Sequence, residues 1–123
     1  MKRKQKDVLR KRLRVKRGVR RRIHGLAEKP RLSVFRSNRQ FYCQAIDDTQ
    51  GRTLAAVSSL EAAWREELAS KSRKEKAERL GHELGKRLKA LGIERAVLDR
   101  GWYRYHGCVK AFADAVREEG IRF

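Results

Sequence analysis

The sequence predicts an α/β fold: a mixed sheet of about four strands, an antiparallel meander plus a crossover strand, with two main helices and a basic helical N-terminal arm. Three observations predict it. Short runs of β-branched and aromatic residues alternate with tight turns between residues 31 and 58. The apolar period then changes to 3.6, as a helix requires. The segment in front stands apart by charge. Residues 1–31 hold fifteen Lys/Arg against Asp7 and Glu28, a net +13, which leaves +5 for the other ninety-two residues.

Within the arm, Val8, Val15, Val19, Ile23 and Leu26 recur at spacings of seven, four, four and three, a narrow apolar stripe with cations on the other faces. Like charges make such a helix marginal on its own, so residues 6–22 are expected to be helical when bound to a polyanion and frayed when free. A solvated basic tail is the alternative. Gly25 is a plausible stop, and Pro30 forces Lys29 out of the α region. The domain boundary is therefore set at residues 1–30 for the arm and 31–123 for the body.

In the body, residues 31–36, 40–46 and 52–58 read as strands, joined by Ser37-Asn38-Arg39 and by Asp47-Asp48-Thr49-Gln50-Gly51. Alternation puts Phe41, Cys43 and Ala45 on one face of the second strand. Residues 61–68 read as a short helix with Ser59 as its N-cap. From Arg73, Ala77, Leu80, Leu84, Leu88 and Leu91 form a stripe directed at the sheet, with Gly92 as C-cap. Residues 95–98 read as a fourth strand, parallel to a neighbour because it follows a helix. Val109, Phe112, Ala113 and Val116 mark a last helix ending near Gly120. Ile121 and Phe123 then fold back onto the body or add a short edge strand.

Charge and composition narrow the function. A cationic block of this density needs a polyanion. No apolar run approaches the ~18–20 residues that span a bilayer, and the N-terminus lacks the apolar stretch of a signal peptide. A cytoplasmic protein with two reduced, incidental thiols, Cys43 and Cys108, is expected. His24, His82 and His106 are scattered and neither thiol has metal-ligand spacing, so no metal or cofactor is expected. A metal-dependent nuclease would have to use Asp47, Asp48, Asp99 and Asp114. The first three are explained more simply as turn-forming or strand-ending residues.

Residues 99–107 are the unusual part of the body. Trp102, Tyr103, Tyr105 and His106 interleave with Arg100 and Arg104 between two glycines. Flat faces for stacking and guanidinium groups for phosphates suit RNA. The competing role for Trp102 or Tyr103 is to plug the end of the sheet. Arg36, Ser37, Asn38 and Arg39 form a second, smaller cluster of phosphate-type donors.

These blocks resemble a known family. Pro30-Arg-Leu-Ser-Val-Phe-Arg-Ser-Asn38, Tyr42-x-Gln-x-Ile-Asp-Asp48, Gly51-x-Thr-Leu-Ala55 and Asp99-Arg-Gly-x-Tyr-Arg-Tyr-His-Gly107, followed by Val109-Lys110-Ala111, are similar to ribosomal protein L-eighteen of the bacterial large subunit. The resemblance covers residues 8–123. It implies an α/β body, binding of 5S rRNA, contact with 23S rRNA in the central protuberance, and neighbouring large-subunit proteins, a second 5S-binding one among them. Carried onto this chain, it implies RNA contacts from Arg10, Lys11, Arg12, Arg14, Lys16, Arg17, Arg20, Arg21, Arg22 and Arg31. It implies further contacts from Arg36, Ser37, Asn38, Arg39, Arg100, Trp102, Tyr103, Arg104, Tyr105 and His106. Two departures stand out: Cys108 where a basic residue is expected, and Trp102 where a smaller one is usual.

Overall fold

The computed structural model describes residues 24–37, 40–101 and 107–123. The helix expected over residues 6–22 lies outside them. The described chain runs β1 (Arg31–Arg36), β2 (Phe41–Asp47), β3 (Arg52–Ser58), a short α1 (Arg65–Ala69), α2 (Arg73–Ala90), β4 (Val97–Asp99) and α3 (Cys108–Glu118). The four strands form one sheet in the order β3-β2-β1-β4. β1 pairs antiparallel with β2, β2 antiparallel with β3, and β1 parallel with β4. The predicted α/β class and mixed sheet are therefore present.

Period-two alternation sorts the sheet into two faces. Leu32, Val34, Phe41, Cys43, Ala45 and Val57 point to one side, where they join Leu80, Leu84, Leu88, Val109, Phe112 and Val116 of the two long helices in a single core. Each fully buried leucine or phenylalanine contributes about 1.5–3 kcal/mol relative to exposure. On the other face Phe35 is half exposed and meets Tyr42 edge-on at 6.0 Å. The body is thus two layers, with helices on one face of the sheet.

Helix α2 begins where Ser72, in extended conformation, accepts a hydrogen bond from the Glu75 N–H, which satisfies one orphan donor of the first turn. It ends as the glycine at 92 predicts. The Ile93 N–H reaches back to the Leu88 carbonyl and the Gly92 N–H to the Lys89 carbonyl, both 2.9 Å. α1 differs from expectation. It starts at Arg65, and Ser59 does not cap it. Ser59 is buried in the sheet's end, where its hydroxyl accepts from the Phe41 N–H and meets the Gln40 side chain. The Glu61 carbonyl accepts from the Arg65 N–H at 2.9 Å in the turn ahead of α1, while its carboxylate holds Arg87 at 2.8 Å. β4 lies two residues further along than expected, and the C-terminal fold-back forms a single parallel bridge between Arg95 and Arg122 with Ile121 buried.

The helical stripe left one feature unread. Gly81 and Gly85 lie one turn apart on the face of α2 that meets α3. A methyl at Gly81 would overlap the Phe112 carbonyl oxygen and the Ala115 methyl, and one at Gly85 would meet the Glu119 side chain. Replacing Gly81 by Ala gains about 1 kcal/mol of helix propensity. Against it stands a collision with a backbone that cannot yield cheaply, costing about 1–3 kcal/mol or more. Gly81→Ala is therefore expected to lower the melting temperature in a circular-dichroism scan; an unchanged or raised value would show that the helices have room to part.

Candidate nucleic-acid interface

The segment before β1 is tied to the body by one charged junction. Gly25 is buried, with a backbone so close to Ile46 and Arg31 that a Cβ has no room. Its N–H donates to Asp48 Oδ2 at 2.7 Å, and its carbonyl accepts from the Asp48 N–H at 2.9 Å. Arg31 Nε and Nη2 donate to the two Asp48 oxygens at 2.9 and 3.0 Å. Arg31 Nη1 donates to Asp99 Oδ2 at 2.7 Å, and Asp99 Oδ1 accepts from the Gly101 N–H at 3.0 Å. One guanidinium thus joins the root of the arm, the β2–β3 turn and the start of the aromatic loop.

The register explains why these groups meet. Arg31 lies opposite Ile46 on one side and Val97 on the other, so Asp48 and Asp99 are each two residues beyond a partner. Only 5% of Arg31 and 2% of Asp99 is exposed. Hydrogen bonds from Arg31, and then the Gly25 N–H, hold the Asp48 carboxyl down at about 2, against the opposing effect of burial. The same partners, Asp48 first, raise the Arg31 pKa. Two carboxylates face one guanidinium, and backbone N–H groups satisfy the remaining oxygens.

Arg31 was expected among the RNA-contacting residues. The structure turns its charge inward instead, because two carboxylates accept from all three of its guanidinium nitrogens. What it does in the structure is tie the segment before β1 to the β2–β3 turn and to the end of β4. Sequence inspection also missed Asp48, Asp99 and Gly25 in this role. The available signal was an acid at each end of the matched motifs, but their partner is 17 and 68 residues away.

The parallel pairing of β1 and β4 points both strands the same way, so the turn after Arg36 and the loop after Asp99 leave in the same direction. Arg36 and Ser37 are exposed at the end of β1, and the Ser37 hydroxyl accepts from the Gln40 N–H at 3.2 Å. Arg100 is exposed beyond β4. Gly101 and Gly107 frame the loop at φ of 59° and 58°, a conformation that side chains resist. Cys108 opens α3 as a buried residue and lines a small pocket with Arg36 of β1 and with Arg73 and Lys76 of α2, so cations from two other elements stand near the position where a basic residue was expected. The remaining candidates, Arg10, Lys11, Arg12, Arg14, Lys16, Arg17, Arg20, Arg21, Arg22, Asn38, Arg39, Trp102, Tyr103, Arg104, Tyr105 and His106, lie outside the described residues.

The carboxylates do not assemble a nuclease centre. Asp47 is buried and folds onto Thr49, Asp48 and Asp99 are held by Arg31, and Asp114 sits on α3 at 3.7 Å from Arg117. Among the described residues no group of three His, Cys, Asp or Glu side chains could hold a metal ion, and no helix is long and apolar enough to cross a membrane. Both cysteines are free and buried, and burial pushes the Cys43 thiol up, with the Asp99 charge adding to it.

Residues 2–123 match the ribosomal L18 family of archaea, bacteria, mitochondria and chloroplasts. Three similar curated proteins carry the name large ribosomal subunit protein uL18. That of Treponema denticola is 48% identical over 123 residues, the whole of both chains. That of Thermotoga petrophila is 49% identical over 112 residues, 91% of this chain and 92% of the relative. That of Methylocella silvestris is 51% identical over 114 residues, 93% and 92% of the two chains.

Proposed function

Because this chain belongs to the ribosomal L18 family, a family of structural proteins of the large ribosomal subunit and not of enzymes, we propose that it binds 5S rRNA and helps attach it to 23S rRNA in the central protuberance. The observation that carries this reading is the extent of the family match, which takes in the +13 segment as well as the folded body. The arm supplies affinity by neutralising phosphates and releasing counterions. The turn at residues 36–39 and the loop at 100–106 supply shape recognition of a folded RNA through guanidinium groups and stacking faces. The protein acts on cytoplasmic ribosomes beside other large-subunit proteins, a second 5S-binding one among them.

The direct test is to isolate the full chain from its cells under high salt and identify the RNA that stays with it. 5S rRNA is the expected companion. A retained pool in which 5S rRNA is no more abundant than in the lysate would reject the proposal.

A further inference from the structure

The body carries a second cationic feature, away from the turn and the loop. A groove of about 570 Å³ runs beside β4, lined by Lys29, Arg95, Arg117 and Arg122 around Val97 and Phe123. Among the described residues no acidic side chain lines it, and the Asp114 carboxylate stands behind Arg117 at 3.7 Å. Arg95 and Arg122 are direct partners across the parallel bridge, which places like charges side by side and costs stability unless an anion lies between them. Arg117 is held at the wall, its guanidinium 4.5 Å over the Phe123 ring and its Nε donating to the Phe123 main-chain oxygen. Arg95 and Arg122 are exposed and Lys29 is half-buried. Lys29 also stands at the root of the arm, between the Gly25 junction and β1.

We propose that this groove binds the sugar–phosphate backbone of an RNA strand, adding a third phosphate-binding surface to the arm and the turn-and-loop end. The inference rests on the RNA-binding reading above. Its commitment to RNA comes from charge: Lys29, Arg95 and Arg122, with Arg117 at the wall beside Asp114, stand around an apolar floor and suit phosphates joined by riboses. Lys29 places one end of the groove four residues past Gly25, beside the described root of the arm. The RNA could be 5S or 23S, and the two are separated by testing each.

The test uses the full chain and the triple variant Lys29→Gln, Arg95→Gln, Arg122→Gln, titrated against isolated 5S rRNA and against 23S rRNA over 50–400 mM KCl. A second triple, Lys71→Gln, Lys74→Gln, Lys86→Gln, removes the same charge from exposed positions elsewhere. Each lost phosphate contact lowers the slope of log affinity against log salt by about 0.7–0.9. The groove triple is therefore expected to lose about 2–3 units of slope toward one of the RNAs, and roughly a hundredfold in affinity at 0.1 M salt. The second triple should change the slope little. Arg95→Lys with Arg122→Lys should keep it, since a phosphate contact needs only the charge. Equal slopes for the two triples on both RNAs overturn the groove proposal and leave an acidic protein segment as its occupant. A wild-type chain with no steep slope on either RNA overturns the RNA-binding reading itself, and the groove with it.

Discussion

Replacing Arg31 by Met is expected to destabilise the body by about 3 kcal/mol or more, because it leaves the buried Asp99 carboxylate and the partly buried Asp48 carboxylate without their cation. For a domain of this size the melting temperature should fall by about 15–30 °C. Methionine keeps much of the side chain's volume, so the loss isolates the charge. The result separates two roles. A residue that merely touched RNA would leave folding unchanged and remove about one unit of salt slope. A variant that melts like the wild type would contradict the junction described above.

The same junction predicts an acid limb. The folded carboxyl of Asp48 sits at about 2, below its unfolded value of ~3.9, so it stabilises the native state in its ionised form. That contribution, about 2 kcal/mol, is complete above roughly pH 5 and is lost as pH falls from about 4 toward 2. Urea midpoints measured from pH 6 to pH 2.5 should decline for the wild type and decline less for Arg31→Met, whose Asp48 has lost its main stabilising partner.

Removing residues 1–22 is expected to flatten the salt dependence of RNA binding. Those residues carry thirteen Lys/Arg against Asp7. If six to ten of them meet phosphates, the full chain loses roughly 10³–10⁵ in affinity between 50 and 200 mM salt, and the shortened chain loses far less. The shortened body should fold, because the Gly25–Asp48–Arg31 junction starts beyond the cut. A filter-binding titration in which both chains share one slope would show that the body, not the arm, holds the phosphates.

Much of the body is legible residue by residue. β1 and β3 start and stop where their turn residues place them, and α2 runs from the Ser72 cap to the Gly92 stop. Both signals act over a few residues, so they survive in the sequence alone. Legibility fails where a side chain has a distant alternative. Ser59 had the chemistry of a helix cap, yet the Phe41 N–H and the Gln40 side chain at the sheet's end take its hydroxyl instead. Gly81 and Gly85 read locally as helix-weakening residues, and only the approach of α3 gives them a purpose. For the interface, the cationic clusters at residues 10–22, 36–39 and 100–106 stand out by composition. Which of their cations face outward does not.

The sequence by itself determined the segregation of charge and the α/β class, since each depends on composition or on spacing within a few residues. Only the tertiary structure decided what Arg31 does. It begins a strand in a basic stretch and looks like one more phosphate ligand. Pairing β1 with β2 and with β4 brings Asp48 and Asp99 to it, and two carboxylates at hydrogen-bonding distance, one buried and one partly buried, outweigh solvent or a distant phosphate. The same pairing sets the arm root at one end of β1 and the turn at the other, about 17 Å apart at ~3.3 Å per residue, a spacing that no local pattern encodes.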